Sequence, residues 1–369
     1  MHSPITWMEL IAQAIKKIDT VHPVFALLAY SPPNIFEEPP DFDQWWKRFA
    51  DNSDVSVMDN YPLTWANAQG LATDPTGKTT NVGLGEMIDV RFALHYSPAF
   101  CHDLGHTIGW NCLRVQVAVK NSNESKPVWP CLQTMENWLS GIFTWRMPTT
   151  RDIRAMAYVS IVHGATGLMY FAMDSFIVRD SGVIGIAPRE LSNTSWRVAP
   201  PNTGAALPGV LASAELVEMS VALWDGVARL NKELSSLVPV LFSNTSRLKY
   251  TVGIQHASTN KTVTPVHSIR KVDGDTLIAV NIDEAQLFTV RFTMPLPDSK
   301  GYRVEVVNEN RFIVPCTKTQ VRFDTQHDEH AAMCAEYNRT GLSYFEDEFE
   351  PLQVHIYKLA NVKVLTSTD

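Results

Sequence analysis

Two acidic side chains with aromatic neighbours are the first residues in this sequence to suggest chemistry. Asp59 stands in Asp-Asn-Tyr-Pro, directly after the apolar run Val55 to Met58. Glu136 lies three residues past Gln133, in a stretch that also carries Trp129, Trp138 and Trp145. Two carboxyl groups can divide a reaction between them, one giving a proton while the other accepts one or attacks. Asp59 fits either a reacting or orienting carboxylate or a loop-capping Asp, and Tyr61 fits either ligand stacking or plain packing. Glu136 can supply the second carboxylate, although a solvent-exposed loop glutamate is the more ordinary use of such a position. Aromatic faces laid over CH surfaces are a common binding device, and Trp138 and Trp145 are the candidates for it. Trp129 sits inside an apolar run and reads as core. Asp174, just past the run Gly167 to Ala172, can hydrogen-bond a ligand or cap the turn beyond it.

Other constellations carry less. His102 and His106 in His-Asp-Leu-Gly-His are spaced to share a helical face as metal ligands, but no third ligand motif accompanies them and Gly105 weakens the helix. The tract His327 to His330 reads as a solvated loop. Gly83 and Gly85 follow no expected strand, and no Gly-x-Ser-x-Gly elbow occurs. No cofactor and no metal are expected.

These residues must be positioned by elements, and the pattern of the chain supplies them. Leu10, Ile11, Ala14, Ile15 and Ile18 recur at helical spacing over Met8 to Ile18. His22 to Tyr30 is a short continuous apolar run closed by Ser31, Pro32 and Pro33, the form of a strand buried on both faces. A tryptophan-rich helix is expected over Phe42 to Phe49, and strands at Val55 to Met58 and at Pro127 to Leu132. The region Glu86 to His95 reads as helical. A helix starting at Thr149 or Thr150, with Asp152 in its first turn, runs to Gly164 and leads into a strand at Gly167 to Ala172. Gly182 to Pro208 reads as a long excursion. Leu223, Val227, Leu230, Leu234 and Leu237 then form an apolar stripe ended by Pro239. Strand and helix alternate about every forty residues, as in parallel βα units.

Beyond Asn244 the texture changes to short runs at Thr262 to Val266, Thr276 to Ile282, Phe288 to Phe292, Val304 to Val306, Phe312 to Val314 and Val354 to Ile356. Asp273-Gly274 supplies a hairpin turn. That spacing implies an antiparallel β-sandwich. The expected fold class is α/β, with a βα domain over residues 1–242 and a sandwich over residues 243–369.

The chain has 369 residues, 45% of them hydrophobic, enough for a sizeable core. A formal net charge of -8 leaves no basic footprint for nucleic acid, and no window holds the unbroken apolar run of a membrane span. The N-terminus lacks the form of a signal peptide. Five N-glycosylation sequons nevertheless occur, at Asn123, Asn193, Asn244, Asn260 and Asn338, against about three expected by chance. They point towards a secreted or extracellular protein. The five cysteines permit pairings of Cys101 with Cys112 and of Cys316 with Cys334, each within one expected domain, or ordinary buried thiols.

The segment Arg146 to Asp174, RMPTTRDIRAMAYVSIVHGATGLMYFAMD, resembles the last helix-strand step of TIM-barrel glycoside hydrolases of the β-galactosidase-like kind. Ile18 to Val24 is similar to the step before the fifth barrel strand, Asp54 to Pro62 to the sixth, and Lys126 to Thr134 to the seventh. Asn231 to Leu241 resembles the final barrel helix. The resemblance covers residues 8 to 242. It implies a partial (β/α)8 TIM barrel, about strands 5–8, with an antiparallel sandwich after it. It also implies a carbohydrate partner, cleaved at an O-glycosidic bond between paired carboxylates.

The chain departs from the resembling family in two respects. Four βα units are visible where a closed barrel needs eight, so the chain reads as a truncated product or as one that pairs with another half. Gln133 occupies the region where many such enzymes carry a nucleophilic glutamate. Gln133 would then bind substrate, with Tyr61, Trp138, Trp145 and Asp174, while Asp59 and Glu136 supply the carboxylates. Two readings stay open, a glycoside hydrolase and a non-catalytic carbohydrate-binding or scaffold protein derived from one. The sequence leaves the oligomeric state open.

Overall fold

A computed structural model of the chain describes residues 4–29, 47–48, 50–59, 71–73, 79–81, 120, 126–139, 142–145, 147–173, 176–178, 181–186, 214–255, 265–271, 275–283, 286–298, 302–317 and 340–359. They fall into two compact units, Met1–Glu233 and Leu234–Asp369. The expected helix Glu86 to His95, the pair His102 and His106, and the tract His327 to His330 lie outside the described residues, as does most of the helix Phe42 to Phe49.

The first unit contains strands β1 (Phe25–Ala29), β2 (Val55–Asp59), β3 (Leu71–Thr73), β4 (Thr79–Asn81), β5 (Val128–Gln133), β6 (Glu136–Leu139), β7 (Ile142–Trp145), β8 (Met169–Phe171), β9 (Phe176–Val178) and β10 (Ser181–Ile184). Among the described residues its helices include α1 (Pro4–Ile18), α2 (Thr150–Val162) and α3, which begins in this unit (Ala214–Ser236). The four apolar runs found in the sequence pair in parallel, in the order β1-β2-β5-β8, as a curled half-barrel sheet. The ribbon β3-β4 stands apart from that sheet.

Register assigns the faces, because paired residues of parallel strands point to the same side. Phe25 pairs with Val55, Leu27 with Val57, Val57 with Trp129, Cys131 with Met169, and Gln133 with Phe171. On this inner face Val55, Val57, Cys131 and Trp129 form a small cluster, with Phe25 edge-on to the Trp129 ring at 5.4 Å. Trp129 therefore belongs to the inner layer, as its place inside an apolar run suggests. Gly167 makes room for it, since a Cβ there would lie 2.6 Å from the indole Nε1. Towards the two edges the same face is open to solvent. Leu27 is 58% exposed and Phe171 36%.

The opposite face carries the helices. Asp152 and Thr149 form the capping box that the sequence signals at the start of α2. The Thr149 hydroxyl and amide donate to Asp152 Oδ2 at 2.8 and 2.7 Å, and the Asp152 amide donates to Thr149 Oγ1. From there Ile153, Met156, Ala157 and Val159 are buried, and α2 packs on β5. In α3, Leu223, Val227 and Leu230 are buried as their spacing requires, and Gly226 admits the Thr150 methyl at the start of α2. Glu233 ties the two helices together, bridging Arg154 Nη2 at 2.7 Å and accepting from the Tyr158 hydroxyl at 2.8 Å. Burial, and then the Glu233 charge, push the Tyr158 phenol far above its ordinary range. The Tyr170 hydroxyl of β8 donates to Asn231 of α3.

α1 departs from expectation. The apolar stripe that marks it as a helix is turned to solvent, with Leu10, Ile11, Ile15 and Ile18 all exposed, and so is Trp7. Ala12 is buried, and Glu9 and Lys16 hold the helix through Arg48 and Asp54. Amphipathic spacing reports that a face is apolar, not that this stretch of chain supplies the surface to cover it.

The second unit begins in the last turn of α3 and includes the short helix α4 (Val238–Leu241), with Pro239 in its first turn, where a missing amide hydrogen is tolerated. Its strands are β11 (Thr251–Gln255), β12 (Val266–Lys271), β13 (Thr276–Asn281), β14 (Phe288–Thr293), β15 (Val304–Val306), β16 (Arg311–Ile313), β17 (Tyr344–Phe349) and β18 (Val354–Lys358). They form two antiparallel sheets, β11-β14-β17 and β12-β13-β18-β15-β16. Both sheets contribute to one core, where Phe292 stacks on Phe345 at 5.1 Å beside Phe349 and Tyr357. The strict alternation of β14, with Phe288, Val290 and Phe292 inward, is the pattern of a strand with one covered face. β11 and β17 are strands that the hydrophobic pattern does not signal. Cys316 is disulfide-bonded, with its partner outside the described residues, and Cys131 is buried in β5.

Candidate functional site

The C-terminal ends of the four parallel strands lie along one edge of the sheet, the edge where parallel α/β sheets gather functional groups. Asp59 is the last residue of β2 and shares a level with Cys131 and Met169. One layer higher, Gln133 ends β5 beside Phe171, the last residue of β8. Chain segments that are remote in sequence thus bring Asp59, Gln133 and Phe171 to one edge.

Beyond the ends of β5 and β8 the chain builds a second sheet in place of the expected loops. Three residues after Gln133 it enters β6, which pairs with β7 on one side and with β10 on the other, giving the antiparallel order β7-β6-β10-β9. The connection after β5 and the connection after β8 are therefore hydrogen-bonded to each other. Two main-chain bonds anchor them at the strand ends. The Thr134 amide donates to the Phe171 carbonyl at 2.6 Å, and the Ile186 amide donates to the Ala172 carbonyl at 3.1 Å. The Phe171-Ala172 peptide is cis.

This second sheet corrects the placement of Glu136. It opens β6 opposite Ile184 and is only 6% exposed, so the solvated-loop alternative does not hold. Met135, Met147, Ile184 and Ile186 are buried in the same segments. Gln133 is fully buried, and its side-chain amide donates to the Met135 carbonyl at 3.4 Å. The Thr134 hydroxyl is buried beside it with no hydrogen-bond partner among the described residues.

The binding candidates are placed unevenly. Trp138 lies in β6, in register with Gly182 and Phe143, and Trp145 lies in β7 opposite Asn137. The backbones of Asp59, Trp138 and Trp145 are described, and their side chains are not. Tyr61 and Asp174 lie outside the described residues. Thr134 escapes sequence reasoning because it carries no motif. β6 and β7 escape it although Ile142-Phe143-Thr144-Trp145 is rich in β-branched and aromatic residues, a signal that reads as a strand when given weight. Among the described residues no cluster of three or more His, Cys, Asp or Glu is arranged to hold a metal, and no helix is long and apolar enough to cross a membrane.

No family model and no curated protein matches the chain. Among solved structures it is similar to a β-galactosidase from the Antarctic haloarchaeon Halorubrum lacusprofundi, at 18% identity over 45% of this chain and 20% of that one, with a TM-score of 0.28. It is also similar to an endo-β-1,4-mannanase from Thermotoga petrophila, at 11% identity over 79% of this chain and 57% of that one, with a TM-score of 0.28. An α-amylase from Anoxybacillus gives 11% identity over 98% of this chain and 64% of that one, with a TM-score of 0.32. The chain spans about a fifth of the β-galactosidase and less than two thirds of the other two. All three are glycoside hydrolases by description, but TM-scores this low carry no argument about fold or function.

Proposed function

We propose that this chain carries part of the catalytic end of a glycoside hydrolase that cleaves O-glycosidic bonds through paired carboxylates. On this reading the parallel sheet is strands five to eight of a (β/α)8 barrel, with a β-sandwich after it. The observation that carries it is the gathering of Asp59, Gln133 and Glu136 at and just beyond the C-terminal ends of β2 and β5. Glu136, buried where β6 begins, and Asp59, which ends β2, would supply the paired carboxylates. Gln133 would hold a sugar hydroxyl, and Tyr61, Trp138, Trp145 and Asp174 would line the approach.

Gln133 favours a second reading, a carbohydrate-binding protein derived from such an enzyme, because an amide cannot serve as a nucleophile. One experiment separates the two. The purified chain is assayed on aryl β-glycosides while oligosaccharide binding is followed by calorimetry. Hydrolysis that falls about 10²- to 10⁴-fold in Glu136→Gln and in Asp59→Asn supports the enzyme. Binding without hydrolysis, weakened in Gln133→Ala, supports the second reading, and loss of both overturns both.

A further inference from the structure

The sequon Asn244-Thr245-Ser246 lies in the second unit, directly after α4, and the function proposed above makes no use of it. Asn244 is exposed, lies outside helix and strand, and its side-chain amide makes no hydrogen bond to any described residue. The backbone around it is nonetheless fixed. Thr245 bridges to Lys271, the Ser246 amide donates to the Arg270 carbonyl at 2.8 Å, and the Ser246 hydroxyl accepts from the Leu248 amide at 3.2 Å. Exposed apolar side chains, Phe242 and Leu248, flank the sequon along the chain.

We infer that Asn244 is an N-glycosylation site. The Asn244 Nδ2 would attack the anomeric carbon of an oligosaccharide carried on a lipid diphosphate. A C–N bond forms, the C–O bond to the diphosphate breaks, and the amide proton is lost as the lipid diphosphate departs. Transfer of this kind acts on the chain before it has folded, so the folded state must leave the modified amide in water, and Asn244 meets that condition. An independent observation agrees. Cys316 is disulfide-bonded, and such bonds persist in the oxidising compartments where N-glycans are attached. The glycan would cover Phe242 and Leu248, which the protein itself leaves in solvent.

The test uses the full chain behind a secretory leader in a eukaryotic host, read in both the microsomal and the secreted fractions so that a retained chain also scores. Trypsin releases Asn244 in the peptide Glu233 to Arg247, which contains no other asparagine. Treatment with peptide N-glycosidase in heavy-oxygen water should convert Asn244 to labelled Asp in most of that peptide. Ser246→Ala and Asn244→Gln should each lose one glycan step on a gel, while Ser246→Thr keeps it. Recovery of the peptide unmodified from the microsomal fraction overturns the inference. So does a mobility pattern that Ser246→Ala leaves unchanged.

Discussion

The two units bury apolar surface in opposite ways. In the second unit two antiparallel sheets face each other, and Phe292, Phe345, Phe349 and Tyr357 from three strands fill the space between them. In the first unit the parallel sheet covers only its middle. Val57 and Cys131 are buried, while Phe25 and Leu27 at one edge and Met169 and Phe171 at the other stay in water. The difference lies in topology. Antiparallel hairpins return the chain beside itself, so a local run of sequence builds both walls of a core. A parallel sheet covers its inner face only when enough strands curl far enough to meet.

The largest effect should therefore come from the second unit. Phe292→Ala removes a fully buried ring from a stack of aromatics and is expected to destabilise that unit by about 3–5 kcal/mol, read in denaturant unfolding. In the first unit the strongest local device is a cap. Asp152→Ala removes the carboxylate that accepts from the Thr149 amide and hydroxyl while keeping the amide that caps on Thr149 Oγ1, and should destabilise by about 1 kcal/mol, with a matching loss of helical signal. A result as large as that of Phe292→Ala would mean that the two units are equally consolidated and would break the comparison.

A smaller effect is expected at Asp54, which accepts from the Val24 amide at 2.7 Å and from Lys16, and so links the starts of β1 and β2. The Val24 amide first, and then Lys16, hold its carboxyl below the ordinary aspartate range. A lowered folded value stabilises the fold above the ordinary value and loses that contribution as pH falls through the lowered one. Wild type should exceed Asp54→Asn in stability at neutral pH, and the two unfolding curves should converge as the pH drops below the ordinary aspartate value. A difference that persists in strong acid would assign the effect to packing.

The smallest effect should be at Leu27→Gln, within about 0.5 kcal/mol, because its side chain already meets water. A loss of several kcal/mol there would mean that the inner face is covered in solution, and it would erase the contrast between the units.

Much of this arrangement is legible in the residues. The runs around Phe25, Val55, Val128 and Met169 mark four parallel strands, and Thr149 or Thr150 with Asp152 in the first turn marks the start of α2, because capping and hydrophobic runs are local signals. The carboxylate candidates stand out by their places after apolar runs. The burial of Glu136 does not, because it depends on β6 pairing with β10 across more than forty residues of chain. Nor does the orientation of α1. Its periodicity is plain in Leu10, Ile11, Ile15 and Ile18, yet Ala12 is the side that packs.

The sequence by itself determined the helices α1, α2 and α3, the four parallel strands, where α2 is capped, and which residues could act as acids. Those properties arise from backbone geometry and from neighbours a few residues apart. Tertiary structure alone decided that Gln133 and Phe171 share a layer, that Glu136 is enclosed, that the Thr134 hydroxyl is buried without a partner among the described residues, and that the stripe of α1 faces water. Each of these depends on surfaces contributed by distant parts of the chain, which spacing along the sequence does not encode.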